Sequence, residues 1–359
     1  MTLELTPTPL PTQAPTRPGH GDAFTDHMVT LAWNPVDGWH DRRVGPLTAL
    51  PLHPATIGLH YAQVIFEGLK AHRQVDGSVA VFRPDRNATR FRASARRLEM
   101  PELPEELFLA AVDDLVGLDQ HLLSDDPDLS IYLRPLMFAT EPNLMLRPSG
   151  EYLFLLMAFV AGGFFGTDPF APVSVLVGRT HTRAVPGGTG DVKCAANYGP
   201  SFVAQRLARE AGCQQVVWLD ALERRWIEEM GGMNMFFVRQ GASGPEVVTP
   251  ALTGTLLPGV TRDSLLTLAA GLGYPVSEER VSVDQWREES LSGRITETFA
   301  CGTAAVVTPV GRVHDTDGHW LIGNGTPGPV TTALRKALVD VQHGRTPAPE
   351  GWLRPIPPR

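Results

Sequence analysis

Residues 152–166, YLFLLMAFVAGGFFG, form an almost wholly apolar run without a single charge. A membrane helix needs ~18 such residues or more, and a Gly pair already breaks this run. It reads as a strand buried on both faces, which must have neighbours in a sheet. Residues 129–139, LSIYLRPLMFA, supply a second buried strand just upstream. Directly after the run, AGGFFGTDPFAP at 161–172 concentrates Gly and Pro and reads as an interdomain linker.

A chain of 359 residues exceeds one ordinary core, on a prior of ~150 residues per domain. The expected division is a disordered or extended N-terminal arm at 1–27, a small N-terminal domain at 28–160, and the linker at 161–172. A large domain at 173–343 and a Pro-rich C-terminal tail at 344–359 follow. In the first domain a strand at 79–82 runs through Pro84 into a helix to about Met100, since Pro suits a first helical turn. Leu107, Ala111, Leu115, Leu118 and Leu122 then recur at helical spacing within 104–123. Beyond the linker, helical patterns at 200–211, 261–272, 283–291 and 329–342 alternate with strands near 174–177, 215–219, 233–239 and 304–309. This is an α/β (α+β) pattern.

The net charge of -8, with 43% hydrophobic and 19% charged residues, describes a soluble enzyme-sized protein and gives no electrostatic case for nucleic acid or an anionic membrane. The N-terminus lacks the basic start and apolar core of a signal peptide, so a cytoplasmic location is expected. Three cysteines without metal spacing, and 11 histidines without HxH or HExxH, lead us to expect no metal. Asp315-Thr-Asp-Gly318 reads as a hairpin turn rather than a calcium loop.

The chain has three lysines against 28 arginines, and Lys193 sits in the glycine-bracketed stretch GGTGDVKCAANYG at 187–199. Only an amine can lose its proton and attack a carbonyl, and small apolar neighbours would favour the neutral form. A snorkelling surface lysine is equally open from the local sequence. Neither a phosphate-loop motif nor GxGxxG is satisfied.

Other segments could serve chemistry. In WIEEMGGMNMFF at 226–237 one carboxylate could be held inside, while alternation along a strand would leave the other solvated. At 256–266 Pro-Gly leads into a helix whose first amides, at Val260 and Thr261, could bind phosphate. Tyr132 and Arg134 share one face of an apolar strand, where a buried Arg needs an anion. ACGTAA at 300–305 is a small-residue turn that could cradle another.

In this order, HYAQVIFEGLKA at 60–71, YLRP at 132–135, VKCAANYGPS at 192–201, EMGGMN at 229–234, LPGVTR at 257–262 and CGTAA at 301–305 resemble the branched-chain amino acid aminotransferases, pyridoxal 5'-phosphate enzymes of fold type IV. The resemblance spans about residues 28 to 343. It implies a small N-terminal α+β domain and a larger C-terminal mixed-sheet pseudo-barrel domain. The implied activity moves the amino group between leucine, isoleucine or valine and 2-oxoglutarate, through an internal aldimine on Lys193, which also shuttles the proton.

By the same resemblance Glu229 pairs with the pyridine nitrogen, Tyr198 binds the ring oxygen, and Arg90, Val260, Thr261 and Thr303 hold the phosphate. Tyr61, Phe66, Tyr132 and Arg134 line the substrate pocket, and Gly302, Thr303 and Ala304 receive the α-carboxylate. The partners implied are small amino and 2-oxo acids and a second copy of the chain, in a homodimer or larger assembly. The same fold could serve a D-amino acid aminotransferase or an aminodeoxychorismate lyase, and a catalytically silent scaffold is a third reading. Three features depart from the family. Ala305 and Thr308 stand where some relatives carry a redox CxxC, Gly232 replaces a Thr, and the Pro-rich termini lie outside the resemblance.

Overall fold

A computed structural model describes residues 20–357, apart from 127, 163, 165–167, 169 and 243. Most of the expected N-terminal arm and much of the expected linker therefore lie outside the described residues. The chain divides into two compact units, residues up to 163 joined by 349 onward, and residues 164–348.

The first unit is built on β1 (His27–Asn34), β2 (Gly38–Pro46), β3 (Val64–Phe66), β4 (Leu69–Arg73), β5 (Val79–Phe82), β6 (Ser130–Ala139) and β7 (Tyr152–Ala161). Its helices are α1 (Ile57–Tyr61), α2 (Pro84–Arg97) and α3 (Glu105–Asp119). The two apolar segments of the sequence pair antiparallel along their full length, from Ser130 opposite Ala161 to Ala139 opposite Tyr152. One face of this pair packs on the helices, where Phe91, Phe108 and Phe154 meet with ring centroids 5.6–6.3 Å apart. The period of two puts Lys70, Tyr132, Arg134 and Phe159 on the opposite face, with Lys70 opposite Tyr132 and Tyr132 opposite Phe159.

The second unit holds β8 (Val173–Gly178), β9 (Gln215–Leu219), β10 (Ile227–Met230), β11 (Met233–Gly241), β12 (Gly244–Pro250), β13 (Val276–Glu279), β14 (Ile295–Gly302), β15 (Val306–Asp315) and β16 (Gly318–Leu321). Around them lie α4 (Phe202–Glu210), α5 (Val260–Gly271), α6 (Val283–Leu291) and α7 (Pro329–Gln342). The strands run β10-β9-β8-β15-β14-β11, and β10 also pairs with β11, so six strands close on themselves. Closure removes the free edges there, and Val175, Val217, Met230, Met235 and Ala300 fill one core. The turn expected at Asp315 joins β15 to β16, with Asp315 opposite Gly318.

The last strand, β17 (Leu353–Ile356), returns to the first unit and pairs antiparallel with β5. Among the described residues no helix is long and apolar enough to cross a membrane.

Candidate active site

Glu229 and Asn234 face each other across the β10–β11 hairpin, whose two-residue loop is Gly231-Gly232. Gly231 has φ of +58°, which glycine adopts without strain, and a Cβ there would stand 2.3 Å from Gln215 Oε1. The hairpin pair grips one residue of the chain leading into α5. Leu257 N donates to Glu229 Oε1 at 2.7 Å, and Asn234 Nδ2 donates to the Leu257 carbonyl at 3.0 Å. EMGGMN thus fixes LPGVTR. Gly259, in extended backbone, then opens α5 with no side-chain cap, leaving the first amides at Val260 and Thr261 without intrahelical partners. A Cβ on Gly259 would collide with Asn234 Oδ1 at 2.1 Å.

Lys193 lies on a loop stapled by Asn197. Asn197 Nδ2 donates to the carbonyls of Thr189 at 2.7 Å and Val192 at 3.0 Å, and its Oδ1 accepts from Thr189 Oγ1 at 2.6 Å. Lys193 Nζ donates to Tyr198 Oη at 2.8 Å. The rare lysine is therefore aimed, not a freely solvated loop residue. Arg183 braces the same loop. Its Nη2 donates to the carbonyls of Gly190 at 3.2 Å and of Thr255, and its Nε stands 3.3 Å from Glu229 Oε2 as an ion pair. Tyr198, Glu229, Gly232 and Leu257 share one cavity with Arg183 and Asn197.

Both acids of the Glu228-Glu229 pair are buried, at 4% and 2% exposure, which corrects the expectation that one is solvated. Glu228 and Glu229 line different cavities. Glu228 accepts a hydrogen bond from the Thr255 hydroxyl. Its pKa is raised, chiefly by burial and further by the neighbouring Glu229 and Asp220, against the pull of Thr255 and Arg183.

Burial also pushes the Cys301 thiol well up, which makes it an inert core residue. Gly302 ends β14, and Thr303 and Ala304 begin the turn to β15; all three are partly exposed. Among the described residues no group of three or more His, Cys, Asp or Glu could hold a metal ion.

The remaining predicted residues sit in the first unit. Tyr61 is half exposed at the end of α1, and its hydroxyl donates to the Leu144 carbonyl at 2.9 Å. The Arg134 guanidinium lies 5.0 Å from the Phe66 ring centre and 5.4 Å from that of Tyr132. Arg90, on α2, makes a bidentate pair with the buried Glu67 through Nε at 2.7 Å and Nη2 at 2.8 Å. Sequence reasoning passed over Arg183, Asn197, Asn234 and Thr255. Two of these stood inside quoted motifs, and nothing local marked Arg183 or Thr255.

Residues 64–313 match the family model for amino-transferase class IV. Together with the closed sheet, the aimed lysine and the buried acid, this defines the protein as a class IV aminotransferase. The chain is 51% identical to a probable branched-chain-amino-acid aminotransferase of Streptomyces coelicolor, over 99% of each protein. It is 50% identical to the branched-chain-amino-acid aminotransferase of Mycolicibacterium smegmatis, over 94% of this chain and 91% of that one. Among solved structures, the branched-chain amino acid aminotransferase of Escherichia coli aligns with a TM-score of 0.74 and 28% identity, over 92% of this chain and 98% of that one. Within its class the chain belongs to the branched-chain amino acid aminotransferase family, with that family's two-domain fold type IV. These relatives do not favour the D-amino acid aminotransferase or lyase readings.

Proposed function

We propose that the chain moves the amino group between leucine, isoleucine or valine and 2-oxoglutarate, with Lys193 as the catalytic amine and pyridoxal 5'-phosphate as cofactor. The observation that carries this reading is the 2.8 Å hydrogen bond from Lys193 Nζ to Tyr198 Oη. The donor set fits the cofactor part by part: an amine for an aldehyde, a phenol for a ring oxygen, a buried carboxylate for a ring nitrogen and open helix amides for a phosphate. The Cβ-free Gly232, whose added carbon would come no nearer than 3.9 Å to Tyr198, leaves room for a planar ring. When bound, this group supplies the carbonyl and the electron-withdrawing ring that accepts charge from the α carbon.

With the group bound, Lys193 Nζ would take the proton from the substrate α carbon and relay it away from that carbon, delivering one to the α carbon only in the second half-reaction, which is general acid–base work by a positioned amine. Glu229, paired with Arg183, is the carboxylate that would face the ring nitrogen and hold a proton there. Tyr198 Oη orients the ring oxygen and the lysine together. Val260 and Thr261 amides, with Thr303 and Arg90, would hold the phosphate oxygens, and Gly302 to Ala304 would receive the α-carboxylate. Tyr61, Phe66 and Tyr132 line the side-chain pocket, where Arg134 pairs with the distal carboxylate of glutamate. A homodimer or larger assembly and a cytoplasmic location, in keeping with three buried thiols, belong to the same reading.

The test uses protein loaded with pyridoxal 5'-phosphate, given L-leucine and 2-oxoglutarate. A visible band that borohydride abolishes is expected. Lys193→Ala should lose that band and about 10²-fold or more of the turnover. A colourless loaded protein, or turnover confined to D-amino acids, overturns the reading.

A further inference from the structure

The cavity that Glu228 lines measures about 210 Å³ and shares no lining residue with the one formed by Tyr198 and Glu229. It lies wholly within the second unit. Two of its lining residues carry buried polar atoms without a hydrogen-bond partner among the described residues. Glu228 is 4% exposed, and while one carboxyl oxygen accepts from the Thr255 hydroxyl, Oε2 accepts nothing. Trp226 Nε1 likewise donates to nothing. Stranding a buried acceptor and a buried donor is expensive, and native folds keep few of either. A single bridging water needs only ~10–15 Å³, so the cavity is many times larger than that repair requires.

Most of the other polar lining is already engaged. Asp220 accepts from the backbone amides of Leu222, Glu223, Arg225 and Trp226 at 2.7–3.1 Å, and the hydroxyls of Thr253 and Thr255 meet at 3.0 Å. Arg280 is held more loosely. Its guanidinium lies 4.2 Å from the Trp226 ring centre, and its ion pair with Glu223 spans 3.6 Å with both side chains about half exposed. The rest of the wall is apolar and includes Pro186, Leu222, Ile227, Pro250 and Leu256.

We propose that this cavity is a second binding site, for a small aliphatic α-amino acid as its zwitterion, with the ammonium on Glu228 and the carboxylate on the Trp226 indole N–H and Arg280. This goes beyond the transaminase reading and uses none of the residues assigned to the reaction. An ammonium supplies the donor that Glu228 lacks and offsets a charge that burial penalises. A carboxylate accepts from the indole and pairs with the guanidinium. Only a molecule carrying both groups satisfies both stranded atoms at once, and its aliphatic side chain then meets the apolar wall. A plain amine leaves the indole unpaired, and a plain acid leaves Glu228 unpaired while repelling it.

The test is calorimetric titration of L-leucine into holoenzyme that borohydride has reduced, which fixes the cofactor on Lys193 and stops exchange with an incoming amine. Saturable binding is expected. 4-Methylpentanoate lacks the ammonium and 3-methylbutylamine lacks the carboxylate, so each should bind about tenfold more weakly or worse. Trp226→Phe keeps a ring but drops the N–H, and Glu228→Gln keeps the shape but drops the charge. Each should weaken leucine binding about tenfold. A crystal of the reduced wild-type enzyme soaked in L-leucine should show the amino acid in this cavity, which reads the position whether or not either variant folds. No saturable binding, leucine found only outside the cavity, affinity unchanged in both variants, or a half-molecule binding as tightly as leucine overturns the proposal. If borohydride leaves no reduced cofactor on Lys193, it is the transaminase reading that fails, and the variants and the soak still decide the cavity.

Discussion

Each of the three lysines occupies a distinct setting. Lys193 is hydrogen bonded to Tyr198, Lys70 stands on the aromatic face beside Tyr132, and Lys336 pairs with Asp340 one helical turn away. Scarcity alone could not separate these roles, because composition carries no information about which partners the fold brings to each amine. The least legible residue was Arg183. Its side chain is 7% exposed and that of Glu229 is 3%, so the pair is shielded from water. Arg183→Gln should strand a buried carboxylate and free the loop carbonyl of Gly190, costing about 3 kcal/mol or more. It should also weaken retention of pyridoxal 5'-phosphate on dialysis. Urea unfolding and cofactor titration check this, and a loss below about 1 kcal/mol would mean that solvent compensates Glu229.

At the level of elements, amphipathic pattern was enough where a helix or a short buried strand packs on one side. The expected bounds of α6, α7 and β9 coincide with those observed. Pattern was not enough for β2, GWHDRRVGP, which has no buried residue and owes its strand to the pairing with β1. Nor could it show how α7 begins. Gly328 offers no side-chain cap, and a carboxylate from β14 does that work. Glu297 accepts from Val330 N at 3.1 Å, from Thr331 N at 2.7 Å and from Thr331 Oγ1 at 2.6 Å. Any side chain at Gly328 would overlap it, since a Cβ there falls 2.1 Å from Glu297 Cδ. Glu297→Gln turns one acceptor oxygen into a donor aimed at a backbone N–H, that of Val330 or that of Thr331. A stability loss of about 2 kcal/mol is expected by urea denaturation, with faster hydrogen exchange at the amides of Val330 and Thr331.

The whole molecule has an order in sequence that its fold does not share. The chain leaves the first unit at 163, builds the second, and comes back at 349. The first sheet therefore lacks an edge strand until residues 353–356 are made. The segment was expected only as a Pro-rich tail, because LRPI is too short and Pro-broken to show a strand pattern of its own. What recruits it is tertiary. Arg354 donates to Asp113 through Nε at 2.7 Å and Nη2 at 2.6 Å, and Arg83 N donates to the Trp352 carbonyl at 2.8 Å. Trp352 is 7% exposed, edge-on to Phe82 at 5.6 Å and beneath the Arg83 guanidinium at 4.6 Å. Pro355 sits where only an edge strand tolerates it. Ending the chain at Ala348 would remove this buried indole and bare the β5 edge. The expected cost to the first unit is about 3 kcal/mol, the usual loss for a buried aromatic, with self-association through the open edge. Trp352→Ala should reproduce most of the destabilisation while keeping the edge covered, and so aggregate less. Urea unfolding with size-exclusion chromatography separates the two effects. A truncated chain as stable and as monodisperse as the full one would mean that β5 needs no partner.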